Sequence, residues 1–152
     1  MLYVIEVPVP KNTAIASPVS IPFDPTEKIL EGGNILFDLN SAKLVGARIL
    51  DRNSRIVPAP NSYTTWITGD GEAVPFEAKF PLSGPPFRIN VECYNLDDTF
   101  DRTVQIRLNI VNFTLEDLTR ELIRAMEVRN VYEVEQNIAR SAASSSTKPG
   151  SD

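Results

Sequence analysis

FRINVECYNLDDTFDRTVQIRLNIV, residues 87–111, holds the clearest pair of alternating stretches in the chain. Phe87, Ile89, Val91 and Cys93 fall on one face of an extended backbone, opposite Arg88, Asn90, Glu92 and Tyr94. Val104, Ile106, Leu108 and Ile110 repeat the pattern against Thr103, Gln105, Arg107 and Asn109. Period two marks a strand with one buried face. Eight apolar residues on two such strands bury enough to anchor a fold, so the pair reads as a hairpin of central strands. Cys93 belongs to the inward set, where a lone thiol serves as a small hydrophobe.

Downstream, the hydrophobic period changes. Neither Gly nor Pro occurs between residues 87 and 148, although the chain has 7 Gly and 12 Pro. TLED, residues 114–117, is a helix start of the capping-box kind: the Thr114 hydroxyl can accept from the Asp117 amide, and both acids suit the positive end of a helix. Leu115, Leu118, Leu122 and Met126 then recur at three or four residues, and Val131, Val134 and Ile138 continue the stripe. A helix over 114–140 would span about 39 Å, more than a small sheet can cover. The stripe is therefore expected to bind a partner, and the contacts assigned to it are Leu118, Leu122, Met126, Val131, Val134 and Ile138. Residues 141–152 form a low-complexity polar tail.

Upstream of residue 87, short alternating stretches are separated by turn residues. Tyr3, Ile5, Val7 and Val9 share a face, and Pro8 and Pro10 on the other lack ladder donors, which puts this strand at a sheet edge. Residues 19–23 read as a short strand. Ile35, Phe37 and Leu39 are expected to form another after a Gly32-Gly33-Asn34 turn. Val45, Ala47 and Ile49 lead into the turn at residues 51–54 and a hairpin with residues 55–57. Residues 62–68 are strand-like by their Tyr, Thr, Trp and Ile content. Val74, Phe76, Ala78, Phe80 and Leu82 face inward against Pro75 and Pro81, another edge. Eight to ten short strands at this spacing predict a mainly β fold, an antiparallel β-sandwich or jelly roll over 1–113, with a C-terminal helical arm.

Composition narrows the function classes. A chain of 152 residues suits about one domain that hides roughly 70% of its unfolded surface. Lys and Arg total 15 against 20 Asp and Glu, a net charge of -5 with both signs interspersed. Nucleic acid as partner would call for a basic stripe. The start of the chain lacks a basic segment and a long apolar run, so neither a signal peptide nor a membrane span is expected. The protein is expected to be made in the cytoplasm.

There is no histidine, which removes the commonest general base and metal ligand and every Ser/His/Asp or Cys/His relay. Paired carboxylates are the remaining route to acid and base chemistry, at Asp70 with Glu72 and at Asp97, Asp98 and Asp101. Both groups lie in turns, where Asp is favoured for bonding nearby backbone. Residues 95–101 carry several oxygens, and whether they take calcium stays open. GDG, residues 69–71, and GGN, residues 32–34, precede neither a helix start nor a Lys-Ser/Thr pair and are not phosphate loops. Trp66 is expected to pack within the fold or at an interface; on a regular strand it cannot share a platform with Tyr63, which weakens a sugar-binding reading. No catalytic residue, cofactor or metal is assigned, and an enzyme is not expected.

IEVPVPKNT, residues 5–13, with Ser17 and Pro18 beyond it, and YNLDDTF, residues 94–100, resemble small β-sandwich proteins carried by viruses of prokaryotes. The resemblance covers about the first 111 residues. It implies a particle component, a capsid, decoration or tail-associated subunit, and brings no functional residue with it. The expectation is a structural subunit that associates with its own copies and other structural subunits through sheet edges, residues 3–9 among them, and through the arm. A carbohydrate- or cell-surface-binding module acting through the loops at one end is the alternative.

Overall fold

A computed structural model describes residues 1–112 and, beyond them, 119, 120, 122–124, 126, 127, 129, 133–138 and 140. The chain divides into two compact units, Met1–Asn112 and Phe113–Asp152.

The first unit holds nine strands: β1 (Leu2–Val9), β2 (Val19–Phe23), β3 (Ile29–Phe37), β4 (Val45–Asp51), β5 (Ser54–Val57), β6 (Ile67–Thr68), β7 (Ala73–Pro81), β8 (Ile89–Asn95) and β9 (Arg102–Val111). They form two antiparallel sheets, one in the order β1-β9-β3-β7 and the other β2-β8-β4-β5, with β6 also on β4. The pairing is nested about the β4–β5 hairpin: β3 lies on β7, β2 on β8 and β1 on β9. Both sheets contribute to one core. The inward residues of β9, Val104, Ile106, Leu108 and Ile110, are completely buried with Val7, Ile35, Ile49, Val91 and Cys93. Each large side chain so buried contributes about 1.5–3 kcal/mol. Burial also pushes the Cys93 thiol up to about 12, so it stays protonated and inert.

The two strands of residues 87–111 are central, as expected, but they are not a hairpin. β8 lies between β2 and β4 in one sheet, and β9 between β1 and β3 in the other. Period two dictates which face is buried and leaves open which strand lies alongside. The link from Leu96 to Asp101 crosses between sheets, held open by its own side chains: Asn95 Oδ1 accepts from the Asp97 amide at 2.9 Å, and Asp97 Oδ1 accepts from the amides of Thr99 at 2.8 Å and Phe100 at 3.1 Å.

Two further expectations need correction. Gly32, Gly33 and Asn34 do not form a turn; they lie inside β3, between β7 and β9. A Cβ on Gly33 would stand 1.9 Å from the Arg107 carbonyl oxygen, and one on Gly32 2.6 Å from that of Phe76. These glycines serve the close backbone approach at the register shift between Leu30 and Gly32. Of residues 62–68, only Ile67 and Thr68 pair, with Ala47 and Gly46. The Arg55 guanidinium holds the preceding segment as a loop by donating to the carbonyls of Thr64, Ala59 and Pro60.

The edges match the proline positions. β1 and β7 bound one sheet, and β1 carries Pro8 while β7 carries Pro75 and Pro81. β2, an edge of the other sheet, carries Pro22. In the second unit the described residues are helical, and Arg129 meets Glu133 at 3.2 Å, an i,i+4 pair. No helix among the described residues is long and apolar enough to cross a membrane.

Candidate interaction surfaces

Four connections gather at one end of the first unit: residues 10–18 after β1, 38–44 after β3, 69–72 before β7 and 96–101 after β8. Arg102, the first residue of β9, ties two of these connections, 38–44 and 96–101, to its own strand. Its guanidinium bonds Asp97 Oδ2 at 2.6 Å and donates to the carbonyls of Leu39 at 3.1 Å and Asn40 at 2.8 Å. The same group lies 5.2 Å from the centre of the Phe100 ring. Asn95, fully buried, donates to the carbonyls of Val9 and Phe100, and its amide donates to Thr13. The Arg102 hydrogen bond, reinforced by the Thr99 and Phe100 amides, holds the Asp97 carboxyl below the usual carboxylate range.

This network fixes an unusual backbone. Asn40, Ala42 and Lys43 have φ of 62°, 49° and 61°, the left-handed region that side chains with a Cβ disfavour at about 1 kcal/mol or more each. Ser41, fully buried, holds the strained segment from below by donating to the Gly69 carbonyl at 2.7 Å. Leu96 donates its amide to the Leu44 carbonyl at 2.9 Å. The result presents large apolar groups to solvent: Leu39 is 71% exposed and Phe100 58%, and Leu44 and Leu96 are exposed beside them. The alternation of Ile35 and Phe37 suggested an inward Leu39; β3 ends at Phe37, so Leu39 turns outward. Sequence reading missed this rim. Its signal was present in Leu96 and Phe100, two large apolar residues inside an acid-rich turn.

The acids singled out by spacing have structural partners or lie open. Asp97 is committed to Arg102 and to loop amides, Asp101 accepts from the Lys11 amide at 2.9 Å, and Asp98 accepts from the Thr99 hydroxyl at 2.8 Å. Asp70 and Glu72 are exposed. Among the described residues no three His, Cys, Asp or Glu groups are arranged to hold a metal.

Trp66 is half-buried. Its ring meets Tyr94 edge-on at 4.9 Å, and the Arg48 guanidinium stands 4.2 Å over its face while bonding Glu92. Gly46 leaves the space that the Tyr94 ring occupies, since a Cβ there would come within 2.3 Å of it. Of the arm residues named from spacing, Leu115, Leu118 and Val131 lie outside the described residues. Leu122, Met126, Val134 and Ile138 are helical and 57–64% exposed, with Ile123 exposed as well. Compared with known proteins, the chain matches no family model, no curated protein and no solved structure.

Proposed function

We propose that the protein is a non-enzymatic structural subunit of a larger assembly, a virus-particle component of the capsid, decoration or tail-associated kind. It is made in the cytoplasm and built into the particle through contacts with its own copies and other structural subunits. Two four-stranded sheets in the orders 1-9-3-7 and 2-8-4-5 fit a jelly-roll sandwich, with β6 as an addition, and viral capsid domains are a frequent use of that architecture. The resemblance of residues 5–13 and 94–100 to virion proteins points the same way. The observation that carries the reading is the exposure of Leu122, Met126, Val134 and Ile138 on a helical segment. Large apolar groups repeated on one segment favour a protein partner. Deleting residues 114–152 is expected to leave a folded monomer; an oligomeric mass unchanged by light scattering would sink the proposal.

The rim of Leu39, Leu44, Leu96 and Phe100 favours a second reading, a carbohydrate- or cell-surface-binding module acting through one end of the sandwich. Its backbone is held before any partner arrives, which lowers the ordering cost of binding. Glycan or cell binding lost in Phe100→Ser, by a chain that remains monomeric at high concentration, would favour this module over the assembly subunit.

A further inference from the structure

The edge of β1 differs from the others. Met1 and Ile110 exchange both backbone hydrogen bonds, and β1 pairs with β9 in unbroken register from Leu2 with Asn109 to Val9 with Arg102. The odd-numbered residues of β1 therefore spend their amides and carbonyls on β9. Leu2, Val4 and Glu6 direct theirs away from the sheet, as does Pro8, which has no amide to offer. Among the described residues no strand pairs with that side.

Elsewhere the edges are blunted. Pro22 interrupts β2, Pro75 and Pro81 interrupt β7, and β5 is four residues long and runs into Pro58. β1 runs from Leu2 to Val7 before its proline, against the two residues of β6 and the four of β5. That run is the only stretch of strand whose outward side chains are large and apolar: Leu2 is 64% exposed and Val4 54%, whereas no other described strand residue is an exposed large hydrophobe. A proline-free edge beside exposed apolar side chains is the feature that other edges here avoid.

We infer that this edge is completed by the β1 strand of a second copy, antiparallel and related by a two-fold axis through Val4. The inference deepens the assembly reading above and rests on it. In this register Leu2 faces the partner copy's Glu6, and Val4 faces its own equivalent. Three pairs, each exchanging two bonds, satisfy all the outward amides and carbonyls of Leu2, Val4 and Glu6, and Pro8 falls just past the end of the ladder. Val4 and its equivalent become cross-strand neighbours on the outer face, and the sheet β1-β9-β3-β7 continues into its copy as eight strands. The two-fold register sets the exposed Val4 against its own equivalent and leaves Pro8 outside the ladder, and this self-match points to a second copy as the occupant. The pairing is short and is weak without the arm's contribution.

Cysteine cross-linking in the full chain tests the register. The native Cys93 is buried with its thiol held protonated, so it stays silent under mild oxidation. Cα atoms of a hydrogen-bonded antiparallel pair lie about 5.5 Å apart, within disulfide reach. Val4→Cys is thus expected to form a covalent dimer rapidly. Glu6→Cys alone should not, because the two thiols lie four residues apart in register, about 13 Å. Leu2→Cys mixed with Glu6→Cys should cross-link, and adding Val4→Pro to both should abolish that product while keeping the β1–β9 ladder, since the Val4 amide points outward. The inference is overturned if Val4→Cys oxidises no faster than Glu6→Cys, or if the Leu2→Cys and Glu6→Cys mixture gives no heterodimer. Repeating the experiment with Leu122, Met126, Val134 and Ile138 changed to Gln separates the two claims: mass reports on the arm, and cross-linking reports on the edge.

Discussion

Leucine, isoleucine and valine are used in opposite ways in the two units. In the first, Leu30, Ile35, Ile49, Ile89, Val91, Val104 and Ile106 have no exposed surface at all. In the second, Leu122, Ile123, Val134 and Ile138 are each more than half exposed. Burial of the first set explains why the sheets hold together; the second set, exposed as it is, contributes little to them. On the proposed function, the first set stabilises the fold and the second is available for association.

That contrast predicts unequal responses to the same kind of substitution. Ile106→Ala removes a fully buried side chain from a central strand and is expected to cost about 2–5 kcal/mol in denaturant unfolding. Met126→Ala, at an exposed helical position, should change folding stability by less than about 0.5 kcal/mol. Equal costs would erase the distinction. Gly33→Ala should approach the core substitutions at about 3 kcal/mol, although it adds one carbon only, because that carbon has no room against the Arg107 carbonyl.

A subtler difference concerns pH. The carboxyl of Asp97 has its pKa lowered in the folded state, chiefly by the Arg102 hydrogen bond. A depressed folded pKa contributes stability that is fully present above the unfolded value near 4 and is lost as pH falls through the folded value. The stability gap between the wild type and Asp97→Asn should therefore be complete above about pH 5 and close as the solution is acidified below pH 4. Titrating the arm variants over the same range should reproduce the wild-type acid limb; a flattened limb there would tie the arm to the loop network.

Much of the fold was legible in the residues. Alternation located the buried faces of β1, β7, β8 and β9, and prolines located the edges, because both depend on local geometry that any strand must satisfy. Sheet membership was not legible: the alternation of residues 89–95 and 102–111 is the same whether the strands lie side by side or in different sheets. Nor was the role of Gly32 and Gly33, since a turn and a close backbone approach both select glycine. The rim escaped because its making is non-local. Leu39 becomes exposed where β3 gives way to a loop that Arg102, 63 residues later, holds in a left-handed conformation.

The most direct test of the account is the mass of the intact chain by multi-angle light scattering, with and without the four changes Leu122→Gln, Met126→Gln, Val134→Gln and Ile138→Gln. Glutamine keeps helix propensity while removing the apolar surface. The wild type is expected to give a multiple of the chain mass at high concentration, and the variant a smaller species with unchanged thermal unfolding of the sheets. A wild-type chain that stays monomeric, or a variant with the same mass as the wild type, would contradict it.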